Sequence, residues 1–248
     1  MSRKPNLATH FFVEPHQITG NNCSFSREES DHILKTFRLY IGDLIKATDG
    51  TGNLFDVKLS AYNNKTVTGE IVKTTRFANE LNTEITIAFG LALQAKTDQI
   101  IEQCTQLGVR GFVPLTTKFS QVKLTDEKSD VKLSRWRKVA ISAMKQSLRS
   151  LLPEISAPLE VDSLATTLKT YDLVLLGSLK GKSLDPLQLK NSSKILLITG
   201  PEQGFSRIEE DSLISAGAVS ISLGDRRLRA ELAPVVMTTM VLTHLGLN

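Results

Sequence analysis

The sequence predicts an α/β protein whose larger part is a mostly parallel sheet, preceded by a small barrel of short strands. Two observations carry this. From Glu84 onward apolar runs of strand length alternate with helical patterns, as in sheets covered by helices on both faces. Before that, short apolar runs alternate with turn pairs such as Asp49-Gly50, Thr51-Gly52 and Asn63-Asn64, which fits a barrel of short strands. A third feature places the functional region late in the chain: a strand, glycine-rich turn and helix start over 195–210, followed by a second short signature over 222–234.

In the first segment the strand candidates are HFFV, LIKATDG, LFDVKLS and TVTGEIV, with a helix expected over Ser26–Phe37. Thr74–Asn82 is polar and reads as the linker. The division expected is therefore residues 1–73 and residues 74–248. In the second segment Ile85–Leu93 reads as a strand. Thr97 or Asp98 then caps a helix with Ile100, Ile101, Cys104 and Leu107 on one face, ended by Gly108. Val109–Leu115 is the next strand. Asp130–Arg149 is a long helix with Trp136, Val139, Ala140, Ala143 and Met144 on its buried side. Further strands are expected at Tyr171–Leu176, Lys194–Thr199 and Val219–Leu223, and a last helix over Leu232–His244.

The glycine-rich turn has a local logic. Lys194–Thr199 is apolar enough for a strand buried on both faces, and Gly200-Pro201 stops it. Ser206 and Glu209 form a capping box for the helix that follows, and Gly217 ends that helix. Gly200 and Gly204 thus flank a tight loop that lets a ligand approach the backbone. In the second signature Gly224 breaks a strand. Arg226, Arg227 and Arg229 cluster after it, Glu231 follows, and Pro234 lies in the first turn of the last helix. Arginines at a strand end facing a glycine loop suit a phosphate or a polarised carbonyl.

Of the 248 residues 41% are hydrophobic and 23% charged, as in soluble globular proteins, and no stretch approaches the length of a membrane span. Met1–Pro15 lacks the apolar core of a secretory signal. Cys23 and Cys104 are far apart and read as buried thiols in a reducing compartment. The cysteines and the histidines His10, His16, His32 and His244 show no ligand spacing, so no metal site is expected. The net charge is +4, yet Lys118–Arg149 holds nine Lys/Arg against three acids. A basic helical face there fits phosphate contacts or a solvated amphipathic helix equally.

Several chemistries lose ground. After the first α/β strand stands Leu91-Ala92-Leu93-Gln94-Ala95-Lys96, with no glycine for a dinucleotide loop. Gly177–Ser183 resembles a P-loop, but its first glycine is one residue too close. There is no G-x-S-x-G elbow.

Six motifs in order point elsewhere. They are His10–Val13; His32-x5-Arg38-x3-Gly42-Asp43; Lys96-x11-Gly108-Val109 with Pro114; Arg135-Trp136 through Gln146-Ser147-x-Arg149 and Pro153; Gly200–Gly204; and Leu223-Gly224-x-Arg226-x-Leu228-Arg229-x-Glu231. Together they resemble the ribosomal RNA small-subunit methyltransferase E family, within the SPOUT (trefoil-knotted) methyltransferases, over nearly the whole chain. The resemblance implies an N-terminal PUA-like RNA-binding β-barrel at 1–73 and a knotted parallel-sheet methyltransferase domain at 74–248. It also implies a cytoplasmic homodimer, with the apolar stretch Val235–Leu242 as a candidate interface, and no membrane partner. The implied cofactor is S-adenosyl-L-methionine. The implied partner is 16S rRNA of the small ribosomal subunit, methylated at N3 of one uridine near the decoding site.

Carried over residue by residue, the resemblance assigns cofactor binding to Leu176, Gly177, Thr199, Gly200, Pro201, Glu202, Gly204, Leu223, Gly224, Arg226 and Leu228. It assigns RNA contact to Arg38, Lys118, Arg135, Arg137 and Arg149. Arg229 would stabilise charge developing on the uracil oxygens, and Glu231 would accept the N3 proton or orient Arg229. Two positions depart from the family pattern. Gln203 stands where the fourth residue of G-P-E-G-G is glycine, and Arg227 stands where an apolar residue is usual. They are the only support for one other reading, a non-catalytic RNA-binding assembly protein; a knotted methyltransferase acting on another nucleotide would show much the same cofactor loops, and the basic helix and barrel-like N-terminus argue against a generic α/β enzyme with an unrelated small substrate.

Overall fold

The computed structural model describes residues 9–120, 126–189 and 192–246. The chain forms two compact units, Met1–Glu80 with Ile141–Leu152, and Leu81–Ala140 with Pro153–Asn248.

The first unit contains β1 (Phe11–Phe12), β2 (Ile18–Thr19), β3 (Asn22–Ser24), α1 (Arg27–Asp31), β4 (Leu44–Thr48), β5 (Asn53–Asn63) and β6 (Thr66–Arg76). They form a sheet in the order β1-β4-β5-β6-β3-β2, antiparallel except for the β1–β4 pair. The β5–β6 hairpin turns through Asn64 and Lys65, both with positive φ (49° and 66°), the geometry that matches the twist of flanking strands. Its core gathers Phe11, Phe25, Ile33, Ile45, Val57, Leu59 and Val67. The helix expected over Ser26–Phe37 begins as expected, with Ser26 Oγ accepting from the Glu29 N–H, but passes into a π-helix at His32–Thr36.

Of the polar stretch read as a linker, residues 74–80 belong to this unit and residues 81–82 to the second. Thr74–Arg76 complete β6, and the buried Glu80 carboxylate accepts from the Arg149 guanidinium, the Ser150 and Leu151 N–H groups and the Ser150 hydroxyl. Polarity there reflects an internal ion pair, which composition alone does not distinguish from solvation.

The second unit contains β7 (Glu84–Gly90), α2 (Gln94–Gln106), β8 (Gly111–Thr116), α3 (Asp126–Gln146), β9 (Glu154–Ile155), β10 (Leu159–Glu160), α4 (Val161–Ala165), β11 (Leu173–Lys182), α5 (Pro186–Leu189), β12 (Lys194–Thr199), α6 (Arg207–Ser215), β13 (Val219–Ile221) and α7 (Ala233–Leu245). From Ile141 onward α3 belongs to the first unit. Every strand pair in this sheet is parallel, in the order β10-β8-β7-β12-β11-β13, with β9 on β8. Such a sheet needs cover on both faces, and its central strands read accordingly: Ile195–Ile198 are fully buried.

Chain order reverses beside β7. β8 and β10 extend to one side, while β12, β11 and β13 fill the other. Crevices at the carboxyl ends of strands beside such a reversal are where open parallel sheets bind ligands. The boundaries shift modestly from expectation. α2 starts at Gln94 rather than after Thr97/Asp98, because Leu93 occupies the N-cap position without any side-chain cap. β11 runs past Leu176 to Lys182.

Candidate functional site

The carboxyl ends of β11, β12 and β13 open into a cleft of about 420 Å³. Three backbone segments wall it: Gly177–Lys180, Thr199–Phe205 and Leu223–Ala230, with Glu210 and Ala233 completing the lining.

The middle wall is the glycine turn. The capping box holds as expected: Ser206 Oγ accepts from the Glu209 N–H, and the Glu209 carboxylate accepts from the Ser206 N–H at 2.8 Å. The cap fixes where α6 begins and hence the length of the turn. Gly204 carries φ = 76° and donates its N–H to the Pro201 carbonyl at 2.8 Å. Gln203, which departs from the family pattern, is not among the positive-φ residues, so its side chain brings no backbone strain.

The first wall explains the stretch that resembles a P-loop. Gly177 and Lys182 both register against Ile221, so residues 178–181 bulge out of β11. A Cβ at Gly181 would sit 2.2 Å from the Ile221 carbonyl carbon, so only glycine closes this bulge. Ser178 Oγ donates to Glu210 Oε1 at 2.9 Å, tying the bulge to α6. The third wall brings Leu223, Gly224, Arg226 and Leu228 to the cleft. Arg227, the second departure, donates from Nη2 to the Glu202 carbonyl oxygen at 2.7 Å and pins the glycine turn.

Ten of the eleven residues assigned to the cofactor line the cleft: Gly177, Thr199, Gly200, Pro201, Glu202, Gly204, Leu223, Gly224, Arg226 and Leu228. Leu176 does not. Its side chain is fully buried in the core with Val174, Leu196 and Ile198. Ser178, Lys180, Phe205 and Glu210 were not singled out and do line it, as does Gln203, which the motif comparison marks only as a departure. The Gly177…Gly181 spacing directly after a strand was the available signal for the bulge.

Beside the cleft lies a charged group. Lys96, in the first turn of α2, places Nζ 2.8 Å from Glu202 Oε1 and 4.0 Å from Glu231 Oε2. Arg229 Nη1 is 3.9 Å from Glu231 Oε1; its side chain is 85% exposed, that of Glu231 15%. Burial disfavours ionised Glu202, but the hydrogen bond from Lys96, a bond from its own backbone N–H and the Lys96 charge together outweigh it and hold the carboxyl below the usual carboxylate range. The same contact raises the pKa of Lys96. Three buried oxygens here have no hydrogen-bond partner: Thr199 Oγ1, Glu202 Oε2 and Glu231 Oε2. Orphaned acceptors of this kind are costly unless a ligand supplies donors.

The residues assigned to RNA divide. Arg38, Lys118, Arg135 and Arg137 are exposed, although Arg135 makes a two-nitrogen contact with Asp98. Arg149 is only 2% exposed and closes on Glu80, so it does not face a nucleic acid; its charge serves the interior. Of the basic run, Lys123 and the side chain of Lys128 lie outside the described residues. Burial pushes the thiols of Cys104 and Cys23 up to about 12 and about 11, which leaves neither as a ready nucleophile. Among the described residues, no three His, Cys, Asp or Glu groups could hold a metal ion, and no helix is long and apolar enough to cross a membrane.

A family model described as an RNA methyltransferase domain matches residues 79–242. The chain is 30% identical over 95% of its length to the ribosomal RNA small subunit methyltransferase E of Synechocystis sp., covering 77% of that protein. It is also 30% identical to the enzyme of the same name from Bacillus subtilis, over 86% of both chains. Among solved structures, a ribosomal RNA small subunit methyltransferase E from Neisseria gonorrhoeae, bound to S-adenosyl methionine, superposes with a TM-score of 0.84 at 22% identity, covering 95% of this chain and 97% of that one. At that identity the superposition speaks for the fold alone. Family model and sequence relatives agree, and the chain belongs to the RNA methyltransferase family, in its ribosomal RNA small subunit methyltransferase E branch.

Proposed function

We propose that this protein transfers a methyl group from S-adenosylmethionine to N3 of a uridine in small-subunit ribosomal RNA, near the decoding site. The observation that carries the reading is the cleft itself: ten residues assigned to the cofactor converge on one concavity, and Arg229 and Glu231, which do not line it, flank Ala230 of its third wall. Its volume of about 420 Å³ falls in the range of small-molecule pockets, roughly 300–1,000 Å³. Leu223 and Leu228 offer apolar contact to an adenine, the backbone of the glycine turn offers hydrogen bonds, and the orphaned oxygens of Thr199 and Glu202 await donors. These residues fit the cofactor, which when bound supplies an activated methyl group on a sulfonium sulfur.

The protein's own contribution is positioning and proton management. N3 of uracil is a poor nucleophile until its proton leaves. Glu231 Oε2 has no donor of its own, so the carboxylate has an acceptor available for that proton, directly or through water. Arg229, on the other side of Glu231, is placed to stabilise negative charge spreading to the uracil oxygens. Arg38, Lys118 and Arg137 are exposed cations suited to phosphates, and the first unit then serves as a PUA-like RNA-binding barrel, residues 1–73 in the simplest division. The placement of β12 between β7 and β11 supports a knotted sheet. A cytoplasmic homodimer through α7 belongs to the same reading.

Mapping modified nucleotides by mass spectrometry in small-subunit rRNA from a strain lacking this chain tests the target. The expected result is loss of one N3-methyluridine; loss of a methyl group from another base would move the assignment to a different nucleotide.

A further inference from the structure

Lys96 stands where helix physics would not place it. The first turn of a helix is the positive end of its dipole and favours acidic side chains. Lys96 occupies that turn of α2 and is compensated from outside the helix, by Glu202 at 2.8 Å and Glu231 at 4.0 Å. The three side chains are drawn inward, with exposures of 31%, 22% and 15%. Two partly buried carboxylates near one cation repel each other less when that cation lies between them, hydrogen-bonded to one and within reach of the charge of the other.

Glu202 is also held by its backbone, since Arg227 donates to its carbonyl oxygen. The glycine turn that walls the cleft is therefore clamped through one residue, by Lys96 on the carboxylate and Arg227 on the main chain. Lys96 also approaches Glu231, 4.0 Å from Oε2, a contact of charge rather than a hydrogen bond. Arg229 faces the other oxygen, Oε1, at 3.9 Å from a side chain that is 85% exposed. Each carboxylate meanwhile keeps an oxygen without a hydrogen-bond donor.

We infer that Lys96 is a positioning residue: its ammonium, hydrogen-bonded to Glu202 and facing Glu231 Oε2, ties the glycine-turn wall of the cleft to α2 and sets the charge beside the Glu231 carboxylate. The inference rests on the proposed methyl transfer for its functional consequence, but its electrostatic part stands on the ligand-free protein. The groups facing the ammonium are Glu202 on the glycine turn, and Glu231 and Arg229 on the segment before α7.

Two measurements on the full chain decide it. Carbon-13 NMR titration of the glutamate carboxyls in the ligand-free protein reads Glu202 in wild type, Lys96→Met and Lys96→Arg. Lys96→Met is expected to raise the Glu202 midpoint by about one pH unit or more, and Lys96→Arg to return it most of the way. A midpoint that does not move overturns the inference. With labelled cofactor and small subunits, Lys96→Met is expected to lower kcat at least about tenfold, with KM for the cofactor within about threefold. The acid limb of its rate profile should move to higher pH, and Lys96→Arg should restore part of the rate. A fall in kcat that follows only a lower Tm, with the pH profile fixed, would assign Lys96 a purely structural role. If wild type transfers no methyl group, the functional reading fails and the carboxyl titration still decides the role of Lys96. Should Lys96→Met not fold, Lys96→Gln, which keeps the stem and a donor without the charge, replaces it.

Discussion

Two arginine–glutamate pairs in this protein share a chemistry and differ in every other respect. Arg149 and Glu80 are 3% and 4% exposed, meet at 2.7 Å, and leave the carboxylate with donors on both oxygens. Arg229 and Glu231 are 85% and 15% exposed, stand 3.9 Å apart, and leave one buried carboxylate oxygen without a donor. The first pair is closed and has nothing left to offer a ligand. The second is open, with an exposed guanidinium and an acceptor to spare. What separates the closed pair from the open one is unmet hydrogen-bonding capacity, not residue type.

The widest gap between them should appear in stability. Arg149→Ala would strand Glu80 among backbone donors with its main cation gone, and removing one partner of a buried pair costs roughly 3–5 kcal/mol. Chemical denaturation is expected to show that loss in Arg149→Ala. A loss under about 1 kcal/mol would mean the pair is not the closed, desolvated contact described.

Arg229→Ala should reverse the pattern. Folding stability is expected to change by less than about 0.5 kcal/mol, as for other exposed substitutions. Methyl transfer should fall by about 100-fold or more, the usual effect of losing a preorganised charge stabiliser, with cofactor affinity nearly intact. Unchanged turnover would remove Arg229 from the mechanism and with it the contrast between the pairs.

Local signals were legible in the sequence and long-range partners were not. The Ser206–Glu209 capping box, the strand Lys194–Thr199 and the terminating glycines Gly108 and Gly217 follow from neighbours within a few residues. The start of α2 escaped because Leu93 is no N-cap by type, and the role of Lys96 escaped with it. Arg149 looked like one more cation in a basic run, since its partner Glu80 lies 69 residues earlier. Likewise residues 141–152 return to the first unit without any break in the periodicity of α3. The cleft was more legible than these because its walls are backbone turns, and turns need glycines at fixed places. Even there the side chain of Leu176 lies in the core rather than in the cleft lining, at a strand whose end could not be fixed in advance.

The central claim is that the open pair works beside a cofactor cleft on a uridine in small-subunit rRNA. Its most direct test is methyl transfer from labelled S-adenosylmethionine to isolated small subunits lacking the modification, followed by nucleoside analysis. The account predicts that the label appears as N3-methyluridine with wild type and is nearly absent with Arg229→Ala. Label on another nucleoside, or equal labelling by both proteins, would contradict it.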